Sequence, residues 1–152
     1  MTPPAVRVVS ESVTAAVGAA TAADAEGFRD AVGRLSTVDP TLVALVLGGT
    51  VRSLLEDLHP DGMDGEDVRA VLTGCVTAAR SWESKVDPSV LLVVLTGALG
   101  LSDPDEQPAF PPAAVARDAT LLLAHLLGTR PVGPYLDAAV AELRRAETIE
   151  MP

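Results

Sequence analysis

Val38-Asp39-Pro40-Thr41-Leu42-Val43-Ala44-Leu45-Val46-Leu47-Gly48-Gly49 returns later as Val86-Asp87-Pro88-Ser89-Val90-Leu91-Leu92-Val93-Val94-Leu95-Thr96-Gly97, and the two stretches align without a gap. Both open on Val-Asp-Pro, carry a Val-Leu pair at the same place and close on glycine. Aspartate ahead of proline specifies a helix start. The carboxylate accepts from a first-turn N–H, and proline at the next position lacks only an N–H that the helix leaves unpaired anyway. The Leu and Val residues that follow point in nearly every direction around a helix, which predicts a central element surrounded by others. A glycine inside a helix costs about 1 kcal/mol relative to alanine. Gly48, Gly49 and Gly97 are therefore read as crossing points where two helix backbones approach closely. Each copy leads through a polar loop into a second helix, and self-similarity at this spacing marks stacked helical hairpins. The expectation is an all-α fold of about seven helices, internally duplicated and stacked as a compact bundle or short solenoid.

Working outward from the repeat, residues 4–36 read as a first hairpin. Val6, Val9, Val13 and Val17 recur at helical spacing behind Pro3-Pro4. So many β-branched residues make a poor helix former, so docking has to stabilise it. Thr21 with Asp24 resembles a capping pair for the second helix, which would bury Phe28, Val32 and Leu35. Copy one spans 38–84. Its first helix is expected to reach Leu58, and Met63, Asp64, Asp67 and Val68 then form a capping pair with a hydrophobic staple. Copy two spans 86–128, with a helix from Pro88 to about Leu101, an acidic and proline-rich loop, and a helix opened by Pro111-Pro112. On that last helix Val115, Ala119, Leu122, His125 and Leu126 share a side, and Gly128 ends it. Residues 134–147 read as a C-terminal capping helix. Hairpins of this length are similar in architecture to those of HEAT-type solenoids, without any signature residue of that group. Residues 1–152 are read as a single all-helical domain.

The composition narrows the function classes. At 48% hydrophobic but only 3% aromatic, the core has to be built from Val, Leu and Ala. A net charge of -10, with Lys85 the only lysine, argues against a basic face for nucleic acid. Cys75 is the sole cysteine, so neither an internal disulfide nor a thiolate-rich metal site can form. The runs Leu42–Leu47 and Val90–Leu95 fall far short of the roughly 20 residues a bilayer span needs. Met1-Thr2-Pro3-Pro4 lacks the basic start of a secretory signal, so the expected location is cytoplasmic.

No reaction centre emerges from the side chains. His59, Asp61, Asp64, Glu66 and Asp67 offer oxygens enough for calcium, but Met63 and Gly65 stand where an EF-hand loop needs acceptors. Caps and a turn explain the same residues, and the acidic run 102–106 reads as solvated surface, so neither metal nor cofactor is assigned. Cys75 has no charged sequence neighbour to lower its pKa, and His125 sits among leucines, so no catalytic residue is assigned. Trp82 serves either as a local core plug or as an interface anchor. The expected function is a non-enzymatic protein–protein interaction or scaffold module, homodimeric or with another protein partner. The alternative is a module that binds an apolar small molecule between the hairpins near Cys75, Trp82 and His125. An enzyme with dispersed polar groups is the third reading.

Overall fold

A computed structural model describes residues 3–101 and 109–150 of the chain, the side chains of 149 and 150 excepted. Within these, the elements are α1 (Pro4–Thr21), α2 (Ala25–Leu35), α3 (Pro40–Leu58), α4 (Gly65–Arg80), α5 (Pro88–Ala98), α6 (Pro112–Leu127) and α7 (Gly133–Glu150), with no strand. The helix starts follow the local chemistry. Asp39 Oδ1 accepts from the Thr41 N–H at 3.0 Å and Asp87 Oδ1 from the Ser89 N–H at 2.9 Å, so the two Asp-Pro starts are capped alike. At α4, Asp64 accepts from the Asp67 N–H at 2.8 Å while Asp67 accepts from the Asp64 N–H at 3.1 Å, a closed capping box. The acidic run 102–106 lies outside the described residues.

Helix α7 runs to Glu150 where the sequence reading ended it at 147, and two further boundaries differ, both set by helix-ending turns. Thr21 ends α1, its hydroxyl donating to the Val17 carbonyl at 2.9 Å, and Asp24 alone caps α2 through the Gly27 N–H. Between them Ala23 adopts φ 55, with Ala23 N–H bonded to Ala20 O and Asp24 N–H to Ala19 O. Helix α5 stops at Ala98 because Gly100 takes φ 74, with Gly100 N–H on Gly97 O and Leu101 N–H on Thr96 O. Both are Schellman reversals, which satisfy the last carbonyls and turn the chain away.

Packing organises the bundle around α6, which touches α1, α2, α3, α4 and α5. Asp118 through Leu123 are all buried, so this helix is enclosed on every side in its middle. The sequence reading gave that central place to α3, yet Leu45 on α3 is 55% exposed. The difference comes from Asp118 and Thr120, which interrupt the apolar pattern of α6 but have their polar atoms satisfied inside. Thr120, for instance, donates to the Ala116 carbonyl at 2.7 Å. Val6, Val9, Val13 and Val17 are buried as the stripe on α1, and α1 packs chiefly on α2.

Helix α3 lies mainly against α7 and α6 and shares little contact with α4, which rests instead on α6 and α5. The partner exchange has a local cause. Gly49 faces Ala139 of α7, whose Cβ would be 3.1 Å from a Cβ placed at 49, so the missing side chain allows close approach. Tyr135 donates to Asp57 Oδ2 and Arg52 to Glu142 Oε2, both at 2.6 Å, along the same seam. No described helix is long and apolar enough to cross a membrane.

Candidate functional site

Cys75 on α4, Trp82 just beyond it and His125 on α6 line one cavity of about 360 Å3, closed on the third side by the end of α1. Trp82 is half-buried and meets Phe28 edge to face, with centroids 5.2 Å apart and planes at 89°. Such a pair holds the indole in one orientation. The imidazole of His125 is laid against α4 where Gly74 has no side chain. A Cβ at 74 would fall 2.8 Å from Nε2. His125 is exposed overall, but the desolvation it does suffer lowers its pKa. A neutral imidazole at pH 7 follows, one nitrogen donating and the other accepting. Cys75 is 1% exposed, and burial, reinforced by the nearby charge of Asp118, pushes its thiol up to about 12. The sulfur is therefore a protonated small hydrophobe at physiological pH and not a nucleophile.

Of the three glycines read as crossing points, Gly49 faces Ala139 as described, whereas a Cβ at Gly48 would meet nothing within 4 Å and Gly97 is exposed. Leu45 and Gly48 share the outer side of α3. Beside them, a groove of about 700 Å3 opens between the end of α2, the first half of α3 and the start of α6. Val38, Ala44, Leu45, Phe110 and Val115 line it, and among the described residues Ser36 and Thr41 supply its hydroxyls and no charged side chain lines it. A further hollow of about 520 Å3 between α1 and α7 is polar by contrast, lined in part by Arg7, Glu11, Asp137 and Arg144.

Sequence reasoning missed the two most deeply buried carboxylates among the described residues. Asp118 is fully buried, and its Oδ2 accepts from the Asp87 N–H at 3.1 Å, which ties the start of α5 to α6. Arg117 donates Nε to Oδ1 at 2.9 Å and Nη2 to Oδ2 at 3.3 Å. Burial raises the Asp118 pKa, against the opposing pull of Arg117 and the Asp87 N–H. One signal was present: Val115, Asp118 and Leu122 fall on one helical side, so the acid lay inside an apolar stripe. Glu83, 2% exposed, accepts from the Lys85 N–H at 3.1 Å and lies 3.8 Å from Arg29 Nε. No sequence pattern distinguishes it from a surface glutamate.

His59, Asp61, Asp64, Glu66 and Asp67 remain a turn and a cap, and no three metal-binding side chains converge among the described residues. No protein-family model, curated protein or solved structure matches the chain.

Proposed function

We propose that this protein is a non-enzymatic helical interaction module that pairs with a second copy of itself through the outer side of α3. The observation that carries the reading is Leu45, a large apolar side chain 55% exposed on the lip of a groove that no charged side chain lines among the described residues. Burying it against the groove of an identical copy removes apolar area from water on both sides, at about 25 cal/mol per Å2. Gly48, one turn further on, adds a second argument. Its helix-weakening cost of about 1 kcal/mol has no use inside the molecule, but it would let another helix approach closely. A two-fold arrangement needs one self-complementary patch, and a ridge beside a groove supplies it. The matched Asp-Pro caps, together with the buried pairs Val43/Leu91 and Leu47/Leu95, support an origin of the two halves by duplication. The setting proposed is the cytoplasm, in keeping with a single unpaired thiol.

Sedimentation over a dilution series tests the proposal. The wild-type chain is expected to dissociate in the micromolar range or tighter, and Leu45→Glu to remain monomeric at every concentration with its helical content intact. A wild-type chain that is monomeric at about 100 μM would remove the reading, because this corresponds to an association weaker than roughly 5–6 kcal/mol. Binding of an apolar small molecule is a second reading, favoured by the convergence of Cys75, Trp82 and His125 on one cavity.

A further inference from the structure

The solvent-open cleft between α1, α4 and α6 has the size of a ligand site. We propose that it binds a small uncharged aromatic molecule carrying one hydrogen-bonding group. This inference rests on the second reading above, whose cavity it specifies, and is independent of pairing through α3, which involves none of the cavity's residues. Size is the first argument. An apolar cavity of about 150 Å3 is enough to admit benzene. A cleft of about 360 Å3, open to solvent on one side, has room for two fused rings and lies within the range of ligand pockets. Charge is the second. Among the described residues no Asp, Glu, Lys or Arg lines the cavity, so an ionic ligand would lose part of its hydration with no counter-charge in return. Shape is the third: Ala78 and Ala124 leave flat walls, while Trp82 offers an aromatic surface fixed by Phe28. The fourth is His125, which has no hydrogen-bond partner among the described residues, so its neutral ring can serve a ligand hydroxyl in either sense.

Trp82 is the only tryptophan, so its indole N–H gives a single NMR resonance that reports on the cavity alone. The probe is 2-naphthol, with naphthalene-2-sulfonate as the charged counterpart of the same ring size. Titration with 2-naphthol is expected to shift the Trp82 signal to saturation, and the sulfonate to bind at least tenfold more weakly. His125→Leu should weaken 2-naphthol about tenfold, the loss of one hydrogen bond. Ala78→Leu fills the cavity from an exposed helical position, so it should fold normally and abolish the shift. The proposal is overturned by any of three results: no saturable shift up to the solubility limit of 2-naphthol, equal binding of the sulfonate, or an unchanged titration in folded Ala78→Leu.

Discussion

Asp118 is a fully buried carboxyl inside the most enclosed helix, so its oxygens have to be matched group by group. Its oxygens receive the Asp87 N–H and the Arg117 guanidinium, and Arg117 itself is only 18% exposed. Truncation to alanine leaves that cation and that N–H without their acceptor, and removing one member of a buried pair costs about 3 kcal/mol. Urea unfolding of Asp118→Ala at pH 7 should show a loss of this size. The pH dependence separates charge from hydrogen bonding. Burial raises the folded-state pKa, so the folded chain holds its proton more tightly than the unfolded chain. The stability from this group is then fully present below the unfolded carboxyl value of about 3.9 and is lost as pH rises through the folded one. Asp118→Asn keeps an oxygen for the Asp87 N–H and has nothing to ionise. Its stability should therefore fall less than that of the wild type between about pH 4 and pH 7. Parallel profiles for the two proteins would mean that the Asp118 charge is fully compensated by Arg117.

At the scale of elements, helix ends are where the chain holds both its clearest instructions and its clearest strain. Ala23 occupies φ 55 in the reversal between α1 and α2, a position that glycine adopts freely. An L-residue with a Cβ loses about 1 kcal/mol there. Ala23→Gly should recover most of it and raise the melting temperature by several degrees; a lower melting temperature would show that the Ala23 methyl contributes more through packing than its backbone strain costs. The same contrast explains what could be read in advance. Asp39-Pro40, Asp87-Pro88 and the Asp64–Asp67 box are local codes, complete within four residues, and their helices begin where those codes say. The stripe of Val6, Val9, Val13 and Val17 is likewise a local periodicity. Partner choice is not local. That α3 lies on α7 depends on Gly49 meeting Ala139, and a glycine pair at 48 and 49 does not say which member is used. The central place of α6 was hidden because Asp118 and Thr120 look like surface residues until their bonds are known. Cys75, Trp82 and His125 could be named as a group only because their helices were expected to be neighbours. Their common cavity depends on Ala78, Ala124 and Gly74 leaving space, a property of absent side chains.

For the molecule as a whole, the net charge of -10 and the groove beside α3, which no described charged side chain lines, make opposite demands on association. Two copies that meet through α3 bring like net charges together, while the contact itself consists of Leu45, its apolar neighbours and Gly48. Salt screens the repulsion, since the Debye length falls from about 20–30 Å near 0.01–0.02 M to about 4–5 Å near 0.5 M. It leaves the apolar contact intact. The dimer proposed here should accordingly tighten several-fold between these salt concentrations, as read by sedimentation. Pairing based on complementary charges, such as capture of a basic protein by the acidic surface, should loosen over the same range. Gly48→Ala makes the test specific to the interface. A methyl at 48 meets nothing within the chain, so the substitution should stabilise each protomer by about 1 kcal/mol through helix propensity. Across the interface, the same methyl keeps the two α3 helices apart and should weaken the dimer about tenfold, a cost comparable to the overpacking of a close contact. A more stable chain that dimerises less well is a combination no purely internal role for Gly48 produces. If Gly48→Ala stabilises the protomer and leaves association unchanged, the second copy does not lie on α3.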